Sequence, residues 1–154
     1  MYTIAKKWHF HAGHRLLGLA QGHKCSRLHG HTYSIEVCLG SAAVDGTGMV
    51  MDYAEMTELV SPYLEKWDHR TFLRADDPLV GALRKVGEGE SVTVLGDNPT
   101  AEVLARTLFD GLQFQLHQMQ NPGGGFDPES MIQLLWVEVK ESESSMARIQ
   151  GRGV

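Results

Sequence analysis

His29-Gly30-His31-Thr32-Tyr33-Ser34-Ile35-Glu36-Val37-Cys38-Leu39 alternates at every second position. Successive side chains on a strand point to opposite faces, so Tyr33, Ile35, Val37 and Leu39 form one apolar face that His29 and His31 continue. Ser34, Glu36 and Cys38 occupy the other face. Two imidazoles on one face can grip a single metal ion, and Gly30 between them has no side chain to obstruct the far side. The stretch predicts a half-buried strand with a metal site at one end.

Upstream lies Trp8-His9-Phe10-His11-Ala12-Gly13-His14, which offers a third ligand. Three neutral imidazoles with an open fourth position describe a catalytic zinc, whereas a structural zinc closes its shell with thiolates. The pattern does not choose among His9, His11 and His14, and it leaves Cys25 open as a fourth ligand. Tyr2, Ile4, Trp8 and Phe10 alternate with Thr3, Ala5, Lys7 and His9, the signature of another half-buried strand. Between the two strands, Arg15–Arg27 reads as a loop punctuated by Gly18 and Gly22.

Downstream, Asp52 followed by Glu55 forms an N-cap with its capping-box partner. Tyr53, Met56, Leu59, Val60, Tyr63, Leu64 and Trp67 then recur at helical spacing, with Pro62 expected to kink or split the helix. A shorter helix is predicted from Asp77-Pro78 through Leu83, and a brief strand over Ser91–Leu95. Asn98-Pro99-Thr100 starts a helix whose stripe is Val103, Leu104, Leu108, Leu112 and Leu116, ended by Asn121-Pro122-Gly123-Gly124-Gly125. Met131–Glu141 alternates again, with Leu135, Val137, Val139 and Glu141 on one face, and a last strand covers Met146–Gln150. The expectation is an α+β fold in one domain, residues 1–154, with two main helices on one face of a four-stranded antiparallel sheet. So few strands leave edges that need cover, which an oligomer would supply.

A chain of 154 residues with 42% hydrophobic and 21% charged residues is an ordinary globular composition. Its formal net charge of -5, without a basic patch, argues against nucleic acid as a partner. Cys25 and Cys38 have no framework spacing, which suits a reducing cytoplasm. No apolar run approaches membrane-spanning length, so no membrane partner is expected.

Cys38 lies inside a strand and reads as an inert small hydrophobe. Cys25 sits in a polar loop between Lys24 and Arg27, where nearby cations favour the thiolate, a base or nucleophile. Asp68-His69 at the end of the first helix offers an acid–base relay, with the carboxylate orienting the imidazole. His is also simply favoured at a helix C-terminus. Glu141 at a strand end could hold a flat guanidine-like edge by two parallel hydrogen bonds. Glu102 is most simply a favourable first-turn carboxylate.

Taken in order, Phe10-His11-Ala12-Gly13-His14-Arg15-Leu16, Cys25 through His31, Gly48-Met49-Val50-Met51-Asp52-Tyr53, Asp68-His69, Pro99-Thr100-Ala101-Glu102 and Val139-Lys140-Glu141 resemble the 6-pyruvoyl-tetrahydropterin synthase family. Only Ser26, Arg27 and Leu28 separate Cys25 from His29, a spacing similar to the 6-carboxytetrahydropterin synthase branch, which serves queuosine biosynthesis. The resemblance implies a tunnelling fold whose subunits close into barrels, as a homo-oligomeric trimer or hexamer. It implies that His14, His29 and His31 carry Zn2+, that Cys25, Asp68 and His69 transfer protons, and that Glu141 anchors a pterin assisted by Thr100 and Glu102. Charge suggests that Lys24 or Arg27 meets the triphosphate. The implied substrate is 7,8-dihydroneopterin triphosphate, with 6-carboxy-5,6,7,8-tetrahydropterin, acetaldehyde and triphosphate as products. Alternatives are a pyruvoyl-tetrahydropterin synthase and a non-catalytic pterin-binding oligomer. Two departures from compact family members stand out, an expanded connection from about Arg74 to Asp97 and a long segment at Pro122–Glu129. His11 is a third, standing where an extra imidazole would compete with His14 for metal.

Overall fold

Alternation along the two histidine-bearing segments produces long strands, β1 (Tyr2–His14) and β2 (His29–Ser41), paired antiparallel with His14 opposite His29 and Phe10 opposite Tyr33. The computed structural model describes residues 1–120 and 131–151. The expected helix terminator at Asn121–Gly125 and the long segment at Pro122–Glu129 lie outside the described residues. Beyond β2 come α1 (Tyr53–Trp67), β3 (Arg70–Arg74), α2 (Pro78–Lys85), β4 (Val92–Leu95), α3 (Ala101–Gln120), β5 (Gln133–Ser142) and β6 (Ser145–Gln150).

The strands form one six-stranded sheet in the order β4-β3-β1-β2-β5-β6. Its β1–β3 and β3–β4 pairs are parallel and the other pairs antiparallel. This corrects the four-stranded antiparallel expectation. The strand overlooked in the sequence is β3: only Phe72 and Leu73 are apolar, they are adjacent, and both are buried, so no alternation marks it. The loop prediction for residues 15–27 holds apart from one 3-10 turn at Lys24–Ser26.

Asp52 caps α1 as its spacing predicts, with both halves of the capping box formed. Pro62 does not split this helix, which runs unbroken to Trp67. Asp77 caps α2 by accepting the Leu79 N–H at 2.8 Å. Met56, Leu59, Val60 and Trp67 from α1 and Leu104, Leu108, Leu112 and Leu116 from α3 cover Phe10, Tyr33, Ile35, Val37, Leu39, Phe72, Val137 and Val139 of the sheet. Phe10 and Tyr33 stack with ring centroids 4.9 Å apart, and Phe72 meets both rings edge-on.

The expected face of β5 needs one correction. A register shift opposite Cys38/Leu39 pairs Leu39 with Leu134. Leu134 therefore joins the core cluster, while Leu135 is the extra residue and packs over Gly40, where a Cβ would stand 2.8 Å from the leucine methyl. On the face away from α1 and α3, Glu138 is 3% exposed but compensated. Arg148 donates from Nε and Nη2 to its Oε2 at 3.0 and 2.7 Å, and this guanidinium lies 4.1 Å from the Trp136 ring. The contact ties β6 to β5.

Candidate metal centre and its surroundings

Continued alternation along β1 puts Phe10, Ala12 and His14 on the core face and His9 and His11 on the other. Pairing of His14 with His29 then brings His14, His29 and His31 together at the end of the apolar face. Their ligand nitrogens all lie within 4.8 Å of one another. Among the described residues the group is these three imidazoles, and Cys25 is not a member. His11 does not compete with His14, because strand alternation aims it the other way.

Backbone carbonyls orient two of the rings. His14 Nδ1 donates to the Pro99 carbonyl at 2.7 Å, and His29 Nδ1 donates to the Arg27 carbonyl at 2.7 Å. A carbonyl only accepts, so each Nδ1 carries a proton and the neutral ring presents a bare lone pair at Nε2. Burial lowers the His14 pKa from 6.5 to about 4, with repulsion from His29 and His31 adding to it. The ring is therefore neutral at pH 7. The two Nε2 atoms face each other at 3.0 Å. Facing lone pairs at that distance repel unless a cation lies between them. A tetrahedral ion about 2.05 Å from each imidazole nitrogen sets neighbouring nitrogens about 3.3 Å apart, close to what is seen. The donor set fits a metal ion, and the carbonyls behind it are the outer partners that such ligands require.

Tyr33 closes the inner side. Its ring lies 5.5 Å from the His31 ring and 6.0 Å from the His14 ring, and its buried hydroxyl has no hydrogen-bond partner among the described residues. Burial, with the Glu141 charge second, pushes its pKa well above the usual phenol value.

Cys25 sits half-buried in the 3-10 turn, where its carbonyl accepts Leu16 N–H at 2.8 Å and its own N–H donates to His23 Nδ1 at 3.1 Å. Glu141 and His31 line one cavity of about 540 Å³ together with Lys7, His9 and Lys140. His31 also lines a second cavity, of about 520 Å³, with His11, His69 and Arg70. Thr100 Oγ1 accepts the Val103 N–H at 3.4 Å at the start of α3, and Glu102 is exposed in the first turn. Lys24 and Arg27 are both exposed, and the Arg27 carbonyl is the one that holds His29.

Asp68 and His69 form an exposed pair, Oδ2 to Nδ1 2.9 Å. The β1 backbone holds both ends: His11 N–H donates to Asp68 Oδ1 at 2.8 Å, and His69 N–H donates to the His11 carbonyl at 2.6 Å. The His11 N–H is the main reason the Asp68 carboxyl titrates below its usual range. The His11 and His69 rings are 5.8 Å apart.

Sequence reasoning missed the Pro99 carbonyl, Tyr33 and the backbone role of His11. Only for the choice of His14 was a local signal present: the parity of Trp8 and Phe10, carried forward, selects residue 14 over residues 9 and 11.

The family model described as 6-pyruvoyl tetrahydropterin synthase matches residues 3–152. The chain belongs to this family. Among relatives of this pterin synthase family, a Halobacterium salinarum protein named probable 6-carboxy-5,6,7,8-tetrahydropterin synthase is 47% identical over 107 residues. That match covers 66% of this chain and 65% of the relative, so the chain spans slightly less than two thirds of it. A Rickettsia bellii protein named 6-carboxy-5,6,7,8-tetrahydropterin synthase is 32% identical, covering 78% of this chain and 86% of its own. In fold, the chain is similar to an uncharacterized protein of Wolinella succinogenes, with TM-score 0.81 at 24% identity and coverage of 98% of both chains. It is also similar to the Caenorhabditis elegans 6-pyruvoyl tetrahydropterin synthase, with TM-score 0.63 at 26% identity over 97% of this chain and 95% of that one. Among the described residues, no helix is long and apolar enough to cross a membrane.

Proposed function

We propose that this family member is a 6-carboxy-5,6,7,8-tetrahydropterin synthase of queuosine biosynthesis. It would convert 7,8-dihydroneopterin triphosphate to the carboxylated pterin with release of acetaldehyde and triphosphate. The observation that carries the reading is the convergence of His14, His29 and His31, with two Nε2 lone pairs face to face, in a chain whose relatives bear that name. The three imidazoles would hold Zn2+. A zinc ion bound there supplies Lewis acidity toward the substrate's side-chain hydroxyls, which makes neighbouring C–H and O–H protons easier to lose.

The chain's own residues then divide the remaining work. Cys25, as thiolate, takes a proton from the carbon next to the pterin ring. His69, oriented by Asp68, moves a second proton during rearrangement and carbon–carbon cleavage. Glu141 accepts paired hydrogen bonds from the pterin's guanidine-like edge, assisted by Thr100 and Glu102. Lys24 or Arg27 meets the triphosphate. The working form is a cytoplasmic single-domain subunit within a trimeric or hexameric barrel.

Purified, zinc-loaded protein given 7,8-dihydroneopterin triphosphate should release acetaldehyde, identified by mass. Loss of triphosphate without acetaldehyde would instead mark a pyruvoyl synthase, the reading favoured by the family model's own description. Cys25→Ala should retain zinc and lose turnover. Unimpaired turnover would remove the thiolate from the mechanism, and bound pterin left unconverted by the wild-type protein would leave only a binding oligomer.

A further inference from the structure

The expanded connection between β3 and α3 ends beside the metal centre, and its ties to the loop after β1 are specific. Asn98 grips Leu17 twice: its Oδ1 accepts the Leu17 N–H at 2.8 Å and its Nδ2 donates to the Leu17 carbonyl at 2.8 Å. Next in the chain is Pro99, whose carbonyl holds His14 Nδ1. At the other end of the connection, Asp77 receives Arg15, the residue after His14, through Nε at 2.7 Å and through Nη2, while also capping α2. His14 is thus followed by a residue tied to one end of the connection and faced by a carbonyl fixed at the other.

We infer that Asn98 is a positioning residue for the metal, which sets the His14 imidazole by fixing the Pro99 carbonyl against β1. The inference rests on the three-histidine metal reading. The carbonyl selects the tautomer that bares Nε2, and it can do so only while it stays within hydrogen-bond reach of Nδ1. A proline carbonyl is accompanied by no N–H of its own that could compete for another partner. The paired hydrogen bonds from Asn98 to Leu17 therefore join the segment carrying that carbonyl to the loop that follows the imidazole's strand, three residues on from His14. The connection acts as a brace behind the ligand.

The test is Zn2+ affinity, read by competition with a chromophoric chelator on intact protein. Asn98→Ala should weaken binding roughly 10- to 100-fold, the range for losing an outer partner of a metal-bound histidine. Leu108→Ala, which lowers stability from the core, should keep affinity within about threefold and so separates positioning from general loosening. Asn98→Ala that binds Zn2+ within about threefold of wild type overturns the inference. If Asn98→Ala does not fold, Asn98→Asp, which keeps the acceptor and loses the donor, is held to the same thresholds. His14→Ala separates the two levels. Lost binding there with Asn98→Ala unaffected sinks only the brace, whereas wild-type binding by His14→Ala sinks the metal reading and the inference with it.

Discussion

His69 has a backbone φ of +56°, the only non-glycine value in the left-handed region among the described residues. Histidine visits that region more readily than most residues, but holding one there costs on the order of 1 kcal/mol. The strain lets the chain reverse directly from α1 into β3 and presents an imidazole where glycine would be easier. His69→Gly should therefore raise stability by about 1 kcal/mol, since the exposed pair with Asp68 that it sacrifices contributes little. The same substitution should abolish turnover. Denaturant midpoints and acetaldehyde release would check both halves, and a variant that is both less stable and fully active would contradict the account.

At the scale of elements, the contact between α1 and α3 turns on Gly111. A Cβ there would fall 1.8 Å from the Tyr63 hydroxyl and 2.7 Å from the ring carbon that bears it. Alanine in a helix interior normally gains about 1 kcal/mol over glycine. Overpacking costs about 1–3 kcal/mol, so the clash should win and Gly111→Ala should lower stability. Adding Tyr63→Leu should restore part of the loss; stabilisation by Gly111→Ala alone would show that Tyr63 swings clear without cost. Elements with a strong local signal were legible in the sequence: the capping box at Asp52, Asp77 before Pro78, and the leucine stripe of α3. β3 was not, because a strand covered on both faces loses its alternation. The Leu135 bulge was not either, because an extra residue shifts parity without leaving a mark in composition.

For the whole molecule, acid sensitivity follows from burying an imidazole. Folded His14 titrates at about 4 and an unfolded chain near 6.5, so between those values the unfolded state binds more protons. The stabilisation is complete above pH 6.5 in metal-free protein and is lost as pH falls toward 4. Denaturant midpoints that stay flat across that window would refute it. The outer strands β4 and β6 leave backbone edges in a single chain. Sedimentation should accordingly give a trimer or hexamer, and a monomer at micromolar concentration would remove the barrel from the proposed working form. By itself, the sequence determined the two long strands, the capped helices, the histidines that could hold a metal ion and the family resemblance, because these depend on local periodicity and spacing. Only the tertiary structure decided the parallel β3–β4 addition, the convergence of His14 with His29 and His31, and the carbonyls that bare the Nε2 atoms of His14 and His29. Those rest on partners as far apart as His14 and Pro99, and no local pattern encodes which distant backbone group an imidazole will meet.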